Sequence, residues 1–110
     1  MNEGKGRKVF VIGAGFSGLS SAALLAKEGF DVTILEKNDR PGGRAMVWKE
    51  KGYTFDMGPS WYMMIEAFED LFAEFGKKPE DYFETIRLDP SYRVFFSENE
   101  SYDIMDEVNR

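Results

Sequence analysis

The stretch KVFVIGAGFSGLSSAALLAKEGFDVTILE, residues 8–36, decides how this chain is read. Its apolar run Val9-Phe10-Val11-Ile12 leads into the turn Gly13-Ala14-Gly15-Phe16-Ser17-Gly18. A small-residue helix then reaches Gly29, and a second apolar run, Val32-Thr33-Ile34-Leu35, ends on Glu36. The order is strand, glycine turn, helix, strand, acid, which is a parallel βαβ unit.

Each part has a physical reason to be there. Gly13 permits a tight turn off the strand, Gly15 lets backbone come close to a pyrophosphate, and Gly18 lets the helix pack against the strands. Backbone N–H groups of the first helical turn, from Ala14 through Phe16 and Ser17 to Gly18, aim the positive end of the helix dipole at phosphate. Glu36 follows about 20 residues on, where a carboxylate accepts hydrogen bonds from ribose hydroxyls and repels a 2′-phosphate. The pattern therefore predicts FAD or NAD rather than NADP. A lone GxGxxG is weak evidence, but here the flanking strand, the helix and the acid all agree.

Outward from this unit, the helix predicted over 17–28 carries Leu19, Ala22, Ala23 and Ala26 at spacings of three and four, and Gly29 suits its left-handed stop. The loop 37–44 is rich in turn residues, with Pro41-Gly42-Gly43-Arg44 at its end. Two readings of it stand side by side: a second backbone approach to the cofactor with Arg44 on phosphate, or a plain surface loop with a solvated arginine. Residues 45–48 and 53–55 read as short strands joined by the polar turn 49–52, and 56–61 breaks the pattern. Asp56 reads as a turn or cap residue, and Trp61 and Tyr62 as core.

An amphipathic helix is predicted over 63–75, with Met64, Ala67, Phe68, Leu71, Phe72 and Phe75 on one face and Gly76 ending it. Its Met and Phe stripe is read as core rather than the lining of a lipophilic tunnel. A helical turn opens at Pro79, strands follow over 85–88 and 92–96, and 97–101 is a polar turn. Residues 102–110 show a few apolar positions and no stop signal. Only two strands belong to the parallel sheet, so further strands are expected after Arg110.

Composition narrows the chemistry. The 110 residues contain no cysteine and no histidine, which removes disulfides, thiolate chemistry, the usual zinc sites and Ser-His-Asp triads, and no metal site is assigned. Hard chemistry must come from a cofactor. Residues 1–55 carry nine basic and six acidic side chains and residues 56–110 five and fourteen, a balance that argues against nucleic acid as a partner. The short polar start precedes no apolar leader, and no apolar run spans a bilayer, so the sequence points to a cytoplasmic protein.

With these motifs in view, the chain resembles bacterial carotenoid desaturases of the phytoene desaturase type, within the flavoprotein amine oxidase superfamily. The superfamily part rests on VIGAGFSGLSSA at 11–22, LEK at 35–37 and PGGR at 41–44, and the more particular part on GYTFDMGPSW at 52–61 and RLDPSYRVFF at 87–96. The likeness covers nearly the whole chain but about the first fifth of such an enzyme. It implies an α/β fold: residues 1–60 as the N-terminal βαβ of a Rossmann-type FAD-binding domain with an incomplete parallel sheet, and 61–110 as the start of an α+β substrate domain. It also implies FAD, with Gly13, Gly15 and Gly18 at the pyrophosphate, Glu36 at the adenosine ribose with Lys37 beside it in the LEK motif, and Gly43 with Arg44 at the phosphates or the flavin side. Gly58, Pro59 and Ser60 would neighbour the isoalloxazine ring. A long isoprenoid substrate such as phytoene is implied, and with it peripheral contact at the inner face of the plasma membrane.

The chain departs from the family in two respects: many relatives open the helix after the GPS segment with proline where this chain has Ile65, and the family's second flavin-binding segment is absent. The 110 residues alone are therefore expected not to turn over. No residue is a convincing general base, so none is named as catalytic. The rival readings are another flavin oxidase of the superfamily, acting on an amine or a porphyrinogen, and a non-catalytic dinucleotide-binding module.

Overall fold

The computed structural model describes residues 4–105. Strand β1 (Lys8–Ile12) pairs in parallel with β2 (Asp31–Leu35), in the register Lys8↔Asp31 to Ile12↔Leu35, and helix α1 (Phe16–Lys27) makes the crossover between them. Val9 and Val11 face α1 together with their partners Val32 and Ile34, because side chains alternate along each strand. α1 stops as its sequence predicts. Gly29 takes φ 87°, its N–H donates to the Ala26 carbonyl at 3.0 Å, and the Phe30 N–H donates to the Leu25 carbonyl at 3.2 Å, a complete Schellman motif.

β3 (Val47–Glu50) and β4 (Tyr53–Asp56) form an antiparallel hairpin, and its turn is tighter than the predicted 49–52. Lys51 (φ 49°) and Gly52 (φ 85°) are both left-handed, as a two-residue type I′ turn requires, so Lys49 and Glu50 continue the strand despite their polarity. Helix α2 (Ile65–Ala73) is shorter than the predicted 63–75. Met64, at φ 56°, blocks extension at its start; at its end Gly76 (φ 65°) sends its N–H to Ala73 and Lys77 sends its own to Phe72. A 3₁₀ turn at Pro79–Asp81 follows, as the proline predicts.

The C-terminal part corrects two expectations. Residues 85–88 form no strand, and β5 (Tyr92–Ser97) instead pairs antiparallel with β6 (Glu100–Ile104). The predicted polar turn at 97–101 shrinks accordingly. Glu100 and Ser101 belong to β6, whose alternation puts Tyr102 and Ile104 opposite Val94 and Tyr92, while Arg93 grips Asp103 through Nε and, at 2.9 Å, Nη2. The last part of the segment read as 102–110 lies outside the described residues.

Contacts between elements run mostly through side chains. Phe16 at the start of α1 meets Phe68 of α2 edge to face, with ring centroids 5.7 Å apart, and Lys27 at the other end of α1 pairs with Glu74 at 2.6 Å. Tyr62 packs on Phe68 and Phe83, in line with its reading as core, whereas Trp61, although stacked on Tyr92, is 53% exposed and is not core. Burial is nevertheless sparse: the buried apolar side chains among the described residues are Ala14, Ala22 and Pro79. The sheet face away from α1 is open, with Phe10 63%, Ile12 87% and Leu35 51% exposed. The radius of gyration is 19.1 Å, against about 13 Å for a self-contained domain of this length. No helix among the described residues is long and apolar enough to cross a membrane.

Candidate dinucleotide-binding site

The site forms where β1 and β2 end together. Gly13 leaves β1 at φ 97° and donates its N–H to the Leu35 carbonyl at 2.7 Å, closing the last rung of the parallel ladder. Ala14 is buried, and both of its backbone groups are used within the protein. Its N–H donates to Glu36 Oε2 at 2.7 Å, and its carbonyl accepts the Gly42 N–H at 2.8 Å. Ala14 therefore contributes by holding the acid and the PGGR loop against the turn.

The three glycines of the turn serve different ends. A Cβ at Gly18 would collide with the Gly13 carbonyl oxygen and reach within 3.6 Å of Val11 Cγ1, so helix-to-strand packing alone requires glycine there. Gly15 has an ordinary φ of -77°, and a Cβ on it would meet nothing nearer than Gly43 Cα at 3.9 Å. The fold itself makes no demand for glycine at 15, which fits the reading that the space serves a ligand. No side chain caps the first turn of α1, so the N–H groups around Phe16, Ser17 and Gly18 remain available to an anion.

The PGGR loop is part of the same surface. Gly43, at φ 61°, backs onto Gly15 so closely that a Cβ would sit 3.1 Å from the Gly15 Cα. Gly58 is fitted in turn against this loop: a Cβ there would strike the Arg44 carbonyl oxygen, and the neighbouring Met57 N–H donates to the Met46 carbonyl at 2.8 Å. The Arg44 side chain is exposed and free of ion pairs among the described residues. Pro59 and Ser60 are exposed and lie beyond the walls of the cleft described next.

A cleft of about 310 Å³ opens at this point, walled by Gly13, Gly15, Glu36, Lys37, Asn38 and Gly43. Ile12 and Leu35 also line it. Glu36 is its anionic centre: Oε2 takes the Ala14 N–H, and Oε1 takes both the Asn38 N–H at 3.0 Å and Asn38 Nδ2 at 2.9 Å. These donors, the Ala14 N–H first, hold the carboxyl below its ordinary value of 4.5, so it stays ionised at neutral pH. Asn38 was not among the residues singled out from sequence. The available signal was a short donor side chain two residues past the acid, in a loop rich in turn formers.

A glycine turn at the end of a parallel strand pair, an uncapped helix start and an acid directly after the second strand define a dinucleotide-binding protein. The chain belongs to the NAD(P)-binding Rossmann-like domain family, whose model matches residues 11–75. Among its relatives, a carotenoid 3,4-desaturase of Haloarcula japonica is 50% identical over 104 residues, covering 94% of this chain and 21% of the relative. A zeta-carotene-forming phytoene desaturase of Myxococcus xanthus is 47% identical over 92 residues, covering 84% of this chain and 18% of the relative. Among solved structures, a CLA-producing fatty acid isomerase from P. acnes superimposes with a TM-score of 0.51 at 29% identity, covering 71% of this chain and 18% of the isomerase. The resemblance to carotenoid desaturases read from the motifs is borne out. The chain spans about a fifth of the length of the curated relatives it matches.

Proposed function

We propose that this chain is the cofactor-binding segment of an FAD-dependent carotenoid desaturase, an oxidoreductase that removes two hydrogens from a saturated C–C unit of a long isoprenoid. The observation that carries the cofactor part is the pairing of an unclaimed space at Gly15 with an ionised Glu36 in one cleft. FAD is favoured over NADP because the carboxylate repels a 2′-phosphate, and over NAD because the Gly43 loop brings a second backbone segment onto the glycine turn. The substrate class rests on 50% identity to a carotenoid 3,4-desaturase over 94% of the chain.

In this reading the N–H groups around Phe16, Ser17 and Gly18 bind the pyrophosphate, Glu36 orients the adenosine ribose, and Arg44 adds a planar cation for phosphate. Lys37 flanks the ribose, and the 58–60 segment of Gly58, Pro59 and Ser60 borders the flavin. Residues 1–60 make up the cofactor unit, and the substrate domain begins at 61. FAD, when bound, supplies the hydride-accepting chemistry. The open sheet face of Phe10, Ile12 and Leu35 is then covered by further elements of the same domain. The protein works in the cytoplasm and meets the inner face of the plasma membrane, where an apolar polyene is held.

The test uses the complete gene product that carries residues 1–110. Purified protein should retain a flavin with its visible absorption band, identified as FAD after acid release. Anaerobic phytoene, or a related polyene presented in lipid vesicles, should bleach that band. Retention of NADP instead of flavin would overturn the cofactor reading, and bleaching by amines or porphyrinogens alone would overturn the substrate reading.

A further inference from the structure

Glu36 is held in place by a neighbour that the βαβ pattern does not specify. Oε1 receives two donors from one residue, the backbone N–H of Asn38 at 3.0 Å and its side-chain Nδ2 at 2.9 Å, while Oε2 receives the Ala14 N–H at 2.7 Å. A carboxylate offers about four acceptor directions. Three are occupied, which leaves one for a ligand in the cleft that Glu36 and Asn38 both line. Two of the three donors are backbone groups that any sequence would supply. The Asn38 amide is the side-chain contribution, a second hold on Oε1 beside the backbone N–H of the same residue.

We propose that Asn38 is a positioning residue that pre-sets the Glu36 carboxylate for a ribose hydroxyl, and so sets the selectivity of this cleft for adenine nucleotides that carry one. This rests on the reading of the cleft as the adenosine-ribose site. Pre-setting an acceptor removes the rotamer loss otherwise incurred on binding, so the benefit appears only with ligands that use that acceptor. Asn38 is exposed, and its side-chain partner is Glu36, so its removal leaves the packed parts of the fold untouched.

The discriminating measurement is the ratio of affinities for ADP and 2′,3′-dideoxy-ADP, taken by calorimetry on the complete gene product freed of flavin. Wild type should prefer ADP. In Asn38→Ala, ADP binding should weaken about fivefold to tenfold while dideoxy-ADP binding stays constant, so the ratio falls towards one. Asn38→Leu, which keeps the shape without a donor or a charge, should do the same, and Asn38→Ser, which restores a hydroxyl donor, should recover part of the ratio. Equal weakening of both ligands, or an unchanged ratio in Asn38→Ala and Asn38→Leu, would overturn the positioning role while leaving the ribose site standing. A wild type that binds ADP and dideoxy-ADP equally, or binds neither, would overturn the ribose reading itself and this inference with it.

Discussion

Glu36 and Ala14, 22 residues apart, are joined by a single charge-assisted hydrogen bond of 2.7 Å from the Ala14 N–H to Glu36 Oε2. This bond ties the end of β2 to the middle of the glycine turn. It places a full negative charge one residue before Gly15, at the positive end of α1. Through Ala14 the same tie reaches the PGGR loop, because the Ala14 carbonyl accepts the Gly42 N–H. One carboxylate thus serves the fold and, in the function proposed, the ligand.

The first prediction follows from its charge. The carboxyl is held below its ordinary value of 4.5 in the folded chain, so its contribution to stability is fully present above about pH 4.5 and is lost as pH falls through the folded value. Glu36→Gln should therefore lower the melting temperature at pH 7 and flatten its decline between pH 4.5 and more acid conditions. The same variant should retain FAD about tenfold less well, having exchanged an ionised acceptor for an amide. Parallel melting curves of wild type and variant across the acid range would refute the charge-based tie.

Gly15 and Gly18 should separate ligand binding from folding. Gly18→Ala puts a methyl into the Gly13 carbonyl and should cost about 1–3 kcal/mol of stability, as overpacking does. Gly15→Ala meets only Gly43 Cα, at an ordinary 3.9 Å and with an ordinary φ, and should leave the melting temperature of the flavin-free protein within about a degree or two of wild type. Gly15→Val should nevertheless abolish flavin retention. Wild-type flavin content in Gly15→Val would remove the pyrophosphate from this turn.

The contrast between those glycines also shows what sequence conveys and what it withholds. The βαβ unit was legible because Gly13, Gly18, Gly29 and the apolar periods agree, and each constrains backbone locally. β6 was not legible, because Glu100, Ser101 and Asp103 look like turn residues until Arg93 supplies a cross-strand partner for Asp103. The strand read over 85–88 failed for the complementary reason: Ile86 and Leu88 favour a strand locally, but a strand exists only where a partner pairs with it, and the partner β5 takes is β6. At the site, motif spacing located Glu36 and Gly43, whereas Asn38 depends on a side-chain hydrogen bond that no spacing rule encodes.

Arg44 should affect affinity without affecting the fold. Its guanidinium is exposed and has no ion pair among the described residues, so Arg44→Ala should leave the melting temperature of the flavin-free protein unchanged. FAD binding should weaken about tenfold, with a smaller salt dependence than wild type, because an exposed charge acts through a screened field. Arg44→Lys should recover only part of the loss, since a lysine lacks the planar fork. A fall in thermal stability with unchanged flavin affinity would assign Arg44 to the loop's own structure instead.

Phe16 lies within the glycine turn, yet its side chain is 58% exposed and its ring contact is Phe68 of α2, edge to face at 5.7 Å. Phe68 also carries Tyr62, at 4.8 Å. Removing it should loosen α2 and, through Phe16, the first turn of α1, whose N–H groups bind phosphate in the function proposed. Phe68→Ala should therefore lower stability by about 1–3 kcal/mol and flavin retention by about threefold, whereas Phe68→Leu, which keeps most of the apolar volume, should restore most of the stability and leave flavin retention closer to wild type. Thermal unfolding and flavin content measured on the same preparations check both effects. A Phe68→Ala protein that unfolds earlier but holds flavin as wild type does would show that the ring contact supports α2 alone and leaves the cofactor turn unaffected.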